Sequence, residues 1–356
     1  MTTNINKLNK VFGAKRILIP IIIGLSVAFY LVYREFDPNA FSKVNFGFQF
    51  FAFLLLAIIL MMIRDFAYMV RLRILTEKKI KWRQTFDVIM LWEFASALTP
   101  SVVGGSAVAM FIIHKEKISL GRSTAIVMIT AIMDELFYVV MVPIIFAIAG
   151  IKALFINSNF NLFGNSFSTF EVFLIGYFFI VLLILLLMYG VFISPNRFKK
   201  ILFSFFKIKF FKRWQRRGIN VSNDIIITSR ELKDKKMKFW LKAFGATIFS
   251  WTARFLVVNA LIAAFVSLTL GDHSLIFGRQ LIMWVILLIS PTPGGSGIAE
   301  FFFPIFLGDF IPLGIAASLA LLWRLLSYYP YLFIGSIVFP MWLKRVLKSK
   351  KQHKID

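Results

Sequence analysis

The chain has 356 residues, of which 59% are hydrophobic, a mean hydropathy of +0.80 and a formal net charge of +24. This apolar content excludes an ordinary soluble protein and points to a polytopic membrane protein, with no separate soluble domain of useful size left over. There is no cysteine, which excludes disulfides, thiolate nucleophiles and cysteine metal sites; His114, His273 and His353 are too scattered to form a histidine one.

Met1 to Lys15 are polar and basic, and Ile17–Tyr33 follows. The apolar run continues through Gly24-Leu25-Ser26-Val27-Ala28 with no cleavage pattern, so it reads as a first membrane helix rather than a signal peptide. Arg34 to Lys43 is a short, nearly neutral loop, and Phe46–Ile63 is the second predicted span. Arg64 to Asp87 carries seven Lys/Arg against Asp65, Glu77 and Asp87, which places this loop and the N-terminus in the cytoplasm by the positive-inside rule. Arg64, Asp65 and Glu93 read as interfacial.

Val88–Lys115 contains Thr99-Pro100 and then Gly104-Gly105-Ser106. Proline removes a donor and glycine carries a backbone entropy cost, so the segment reads as two half-helices, neither long enough to span. Gly121–Ala149 is long enough to cross despite Asp134 and Glu135, and the uncharged Ile156 to Thr169 reads as an external loop. Val172–Ile193 spans back. Arg197 to Lys238 then carries fourteen Lys/Arg and three acids. Within it Phe203, Phe205, Phe206, Phe210, Phe211 and Trp214 interleave with Lys207, Lys209, Lys212 and Arg213, so 196–238 is predicted to be a basic amphipathic segment on an anionic leaflet. A solvated basic loop is the plainer alternative. Nucleic acid is not expected as a partner, because topology already accounts for the charge.

Phe239–Leu268, with Arg254 inside it, spans outward, and Gly271-Asp272-His273 reads as external. Phe277–Leu307 is the second interrupted segment. At its centre lies Ser290-Pro291-Thr292-Pro293-Gly294-Gly295-Ser296-Gly297-Ile298-Ala299-Glu300. Broken backbone at membrane depth survives only inside protein or along a wet cavity, so a re-entrant hairpin is predicted. Ile311–Leu343 returns inward with Arg324 near its middle and a kink expected at Pro330; the basic tail from Lys344 to Asp356 is cytoplasmic.

A shift of 190 residues lays Gly104-Gly105 on Gly294-Gly295, Ser106 on Ser296 and Asp134 on Arg324. The predicted fold is therefore all-α: one integral membrane domain over 1–356, built from two inverted repeats at 17–149 and 172–344. It has six crossings and two re-entrant hairpins at 88–115 and 277–307, which a hydropathy count would report as eight spans. Paired interrupted segments of this kind point to a transport site near the midplane. The half-helix N-termini after each Gly-Gly should offer free N–H groups to an anion such as a phospholipid phosphate.

The candidate substrate-binding set is Pro100, Gly104, Gly105, Ser106, Asp134, Glu135, Arg254, Pro293, Gly294, Gly295, Ser296, Glu300 and Arg324. Arg324 and Arg254 would contact a headgroup phosphate, with Asp134, Glu135 and Glu300 balancing charge or carrying protons. The competing reading is structural ion pairing that locks the two repeats together. Trp92, Trp284, Trp323, Tyr328 and Tyr329 read as an interfacial belt in preference to cavity lining. No catalytic residue, metal ligand or cofactor is expected, and no G-x-x-x-x-G-K-[ST] motif is present.

Thr99-Pro100, Gly104-Gly105, the run Pro291-Thr292-Pro293-Gly294-Gly295-Ser296-Gly297 with Glu300, and Arg324 together resemble the transmembrane, flippase-like region of the lysylphosphatidylglycerol synthases. The resemblance covers about residues 10–345, with the Pro-Gly-Gly…Glu motif its specific part. It implies movement of aminoacylated or other lipids between leaflets. The aminoacyl-tRNA-dependent acyltransferase domain of full-length synthases has no counterpart before Asp356, so the translocase half alone is implied. The expected function is a bacterial inner-membrane lipid translocase, not an enzyme. Its expected partners are an anionic or aminoacylated phospholipid, the anionic membrane surface and, as an option, a second copy of the chain. The rivals are a membrane-embedded enzyme on a lipid or polyprenyl-phosphate substrate and an accessory scaffold for a lipid-modifying partner.

Overall fold

The computed structural model describes residues 46–99, 101–156, 159–162, 165–189, 234–287, 292–312 and 314–352, with a few single positions elsewhere. Most of the predicted first span and of the basic segment 196–238 lies outside the described residues, as do Pro100 and Pro291.

Among the described residues the protein is all-α apart from one small hairpin. The helices in order are α1 (Phe48–Leu75), α2 (Trp82–Leu98), α3 (Ser101–Lys115), α4 (Leu120–Ala149), the short α5 (Ile151–Leu154), α6 (Thr169–Met188), α7 (Met237–Ala263), α8 (Leu270–Leu287), α9 (Ile298–Leu307), α10 (Ala316–Ser327) and α11 (Tyr329–Gln352). Between α5 and α6, β1 (Asn159–Leu162) pairs antiparallel with β2 (Asn165–Ser168). Among the described residues five segments are long and apolar enough to cross a membrane: α1, α4, α6, α7 and α10 with α11 taken together. This is an all-α polytopic membrane protein.

α1 packs along its length against α7. Gln49 donates to the Ala263 carbonyl (3.3 Å), Ser250 donates to the Arg64 carbonyl (2.9 Å) and Arg71 donates to Thr247 (3.0 Å). Residues near the start of α1 therefore meet the end of α7, and the two helices run antiparallel. Ala57 on α1 and Ala243, Ala253 and Ala260 on α7 are buried, and such small side chains let two backbones approach closely. The outer faces carry exposed Phe48, Phe51 and Met62 on α1 and Phe178, Phe179 and Leu185 on α6, which suits contact with acyl chains. The 190-residue shift lays α1 on α7, α2 on α8, α3 on α9, and α4 on α10 with α11.

Several boundaries differ from the sequence expectation, each for a local reason. α1 does not stop at Ile63 but continues to Leu75, because Arg64 and Arg71 find partners inside the protein. Gly271-Asp272-His273, read as external, forms the first turn of α8. Thr269 N donates to Asp272 (2.9 Å) and Asp272 N donates to Thr269 Oγ1 (3.2 Å), a reciprocal cap that starts the helix there. The first hairpin breaks at Thr99, and Gly104-Gly105 lie within α3 rather than in the break. The kink expected at Pro330 is a break at Tyr328 (φ −129°, ψ −57°), because the proline has no N–H to give the Leu326 carbonyl and its ring crowds that turn.

Outside the bilayer-crossing runs, Glu77 joins the α1–α2 turn to Lys235 (3.0 Å) and to Arg122. Lys235, and then Arg122, hold its carboxyl below the ordinary value of 4.5. The contribution is present above that value and is lost as pH falls through the lowered one.

Gly335 on α11 sits on the ring of Phe94 on α2, and a Cβ placed there would lie 2.2 Å from Phe94 Cγ. Gly335→Ala should lower stability by about 1–3 kcal/mol through overpacking. Thermal melting in detergent checks this, and the double variant with Phe94→Leu should recover part of the loss.

Candidate functional site

A cavity of about 260 Å³ lies between the two interrupted hairpins. Thr99 and Ser106 border it from the first hairpin; Thr292, Gly294 and Gly295 border it from the second. α1, α4, α7 and α10 supply Arg71, Asp134, Glu135, Arg254 and Arg324 to its wall. Three polar networks hold this wall together.

The first joins α1, α2 and α11. Arg64, 1% exposed, donates to Glu93 Oε1 (2.7 Å) and Asp65 Oδ1 (2.8 Å), and the Tyr331 hydroxyl donates to the same Asp65 oxygen (2.7 Å). The second joins α1, α4 and α7. Arg71 pairs with Asp134, donating through Nη2 to Oδ2 (3.2 Å), and Trp251 Nε1 donates to Asp134 Oδ1 (2.7 Å). Buried ions need this matching, because a charge inside the bilayer costs about 2.5–3.5 kcal/mol even on insertion scales.

The third network is the second hairpin itself. Gly294, Gly295 and Gly297 have φ of +57°, +69° and +83°, values open to glycine, and so turn the chain between α8 and α9. Ser296 and Glu300 are wholly buried. Glu300 accepts from the Gly297 N–H (2.8 Å) and from Arg324 Nε (3.0 Å), and Arg324 Nη2 donates to the Gly294 carbonyl (3.0 Å). Tyr328 lies under this arrangement, with the Arg324 guanidinium 3.8 Å from its ring centre. The Tyr328 hydroxyl accepts from Ser296 (3.0 Å) and donates to the Ala97 carbonyl of the first hairpin (3.0 Å). A Cβ at Gly294 would lie 2.3 Å from the Tyr328 ring, so that position admits glycine alone.

The structure brings Ser106, Asp134, Glu135, Arg254, Gly294, Gly295 and Arg324 to one cavity, with Ser296 and Glu300 directly behind it. Pro293 is in the turn, where its carbonyl accepts from Ser296 N. Pro100 lies outside the described residues. Gly104 lies in α3, and Gly105 there is a packing contact: a Cβ would fall 2.1 Å from Ser96 Oγ on α2. At the N-terminus of α9, where free N–H groups are expected, three N–H groups are taken within the protein. Gly297 N–H goes to Glu300, Ala299 N–H to Gly295 and Phe301 N–H to Gly297, so the protein's own carboxylate occupies the place expected for an anion.

Other residues of the wall emerge only in three dimensions. Arg71 reads in sequence as a loop cation, and Glu93 as interfacial, yet both border the cavity. Arg64, Tyr68, Arg71 and Leu75 recur at helical spacing, the signal that one face of a continuing α1 is polar and buried. Trp92, Trp284 and Tyr328 also border the cavity rather than forming a belt, and Trp323 is buried and stacked on Phe303. Among the described residues no group of three His, Cys, Asp or Glu could hold a metal ion.

An all-helical polytopic membrane protein with a charge-lined cavity between two broken hairpins is the class that fold and site define. The chain belongs to the family described as the lysylphosphatidylglycerol synthase TM region, whose profile matches residues 17–335. It is 25% identical over 271 residues to a UPF0104 membrane protein of Archaeoglobus fulgidus, a match covering 73% of this chain and 76% of that protein. No solved structure matches it.

Removing one partner of a buried pair strands the other. Arg71→Ala should destabilise the protein by about 3–5 kcal/mol. The double change Arg71→Met with Asp134→Asn should cost less than Arg71→Ala alone. Melting of the three proteins in detergent checks the order.

Proposed function

We propose that this protein is a lipid translocase, moving a phospholipid or lipid-linked headgroup between the leaflets of a bacterial inner membrane without a covalent step. The observation that carries the reading is a polar cavity walled by both interrupted hairpins, with charged groups at the depth of the crossing helices. A headgroup needs such a path, because acyl chains cannot solvate it. Membership of a family named for a lipid-modifying synthase's membrane region supports it.

In this reading 17–149 and 172–344 are inverted repeats related by an axis in the membrane plane. The antiparallel packing of α1 on α7 and the matching element order support that relation. Both termini lie in the cytoplasm, as their basic composition suggests, and 196–238 rests on the anionic inner leaflet. Arg324, Arg254, Asp134, Glu135 and Glu300 form or balance the headgroup site.

The test is reconstitution in vesicles with headgroup-labelled phospholipid and a membrane-impermeant quencher. Wild-type protein should speed leaflet exchange. Arg324→Ala, which removes one cavity cation and strands Glu300, should cut the rate by about tenfold or more. Full activity in folded Arg324→Ala protein would take Arg324 out of the mechanism. Chemical turnover of the lipid without exchange would favour an embedded enzyme, and neither outcome would favour an accessory scaffold.

A further inference from the structure

Most charges around the cavity are matched within the protein: Arg71 by Asp134, Arg324 by Glu300, and Glu93 by Arg64. Two are not. The guanidinium of Arg254 lies 4.3 Å from the ring centre of Trp284 and 5.2 Å from that of Trp251, with no carboxylate in salt-bridge reach among the described residues. Glu135 Oε2 is buried without a hydrogen-bond partner. The same is true of the hydroxyl of Tyr138, 1% exposed and about one helical turn further along α4. All three residues border the cavity.

An unmatched ion and an unbonded hydroxyl inside a membrane protein are costly to maintain. One surplus charge of each sign on one cavity wall is the complement of a ligand that carries both. We propose that Arg254 and Glu135 set the headgroup specificity, selecting a net-neutral headgroup with one phosphate and one primary ammonium. This rests on the translocase reading of the cavity. The phosphate accepts from Arg254, and the ammonium donates to Glu135, with the Tyr138 oxygen as a second acceptor.

The charge balance argues against the neighbouring headgroup classes. A net-anionic headgroup leaves Glu135 uncompensated. A headgroup with two ammonium groups brings a positive charge that no free acid meets among the described residues of the cavity. A trimethylated ammonium has no N–H to donate, and the two indole faces that would suit it are taken by Arg254.

The experiment titrates the purified full chain, in an uncharged maltoside detergent, with dihexanoyl forms of four lipids. These are phosphatidylethanolamine, phosphatidylcholine, phosphatidylglycerol and lysyl-phosphatidylglycerol. Tryptophan fluorescence and calorimetry read the binding. Phosphatidylethanolamine should bind about tenfold tighter than the other three, the scale of one hydrogen bond to a charged group. Glu135→Gln should erase the preference over phosphatidylglycerol while phosphatidylglycerol still binds. Arg254→Gln should weaken every lipid, and Arg254→Lys should restore part of the loss. Equal affinities, or an unchanged preference in folded Glu135→Gln protein, would overturn the assignment; if that variant does not fold, the wild-type ranking decides alone. Free phosphoethanolamine binding as tightly as the lipid would support the recognition chemistry but assign it to a soluble ligand. Lipid binding without preference sinks this inference alone, since the translocase reading stands or falls on exchange in vesicles.

Discussion

Inside a bilayer, water is not there to satisfy a stray N–H, C=O or charge, and this constraint shapes every unusual feature of the protein. The second hairpin shows the solution in its most compressed form. Three glycines with positive φ break the backbone, and the break exposes donors and acceptors. Glu300 takes the Gly297 N–H, and Arg324 takes the Gly294 carbonyl while pairing with Glu300. One ion pair thus serves two purposes. It neutralises itself, and it closes the gaps left by the interrupted helix. The same economy appears at Arg64, which pairs with Asp65 and Glu93 as α1 passes α2.

These networks also decide how the helices meet. The pair Arg71–Asp134 fixes α1 against α4, and Trp251 brings α7 to the same carboxylate. Apolar side chains alone distinguish poorly between one helix partner and another when the surroundings are equally apolar. Hydrogen-bonded charges do distinguish, because a wrong pairing leaves an ion stranded. The cavity is then the space that remains when the charged faces of α1, α2, α4, α7 and α10 are brought together.

Much of this was legible in the residues. Apolar length gives the crossings, and the clustered proline and glycine at 291–297 give the second break, because that chemistry overrides any propensity nearby. Asp134, Glu135, Arg254 and Arg324 stand out because charge is rare in such runs. What misleads is dense charge at a helix end. Arg64, Arg71 and Arg73 look like the start of a loop, and only the acids of α2 and α4, remote in sequence, explain why the helix continues. The Gly104-Gly105 pair misleads differently. Gly105 is small so that α2 and α3 can touch, a tertiary demand that a local pattern cannot distinguish from a break. Trp92, Trp284 and Tyr328 likewise could face lipid or cavity, and only the packing tells which.

The hydroxyl of Tyr328 sits between the two interrupted segments, receiving a proton donor from one and giving its own to the other. The chain also bends at this residue, between α10 and α11. The two hairpins are therefore linked through a phenol mounted on a joint. Swinging one away from the other must either snap that link or turn the joint with it.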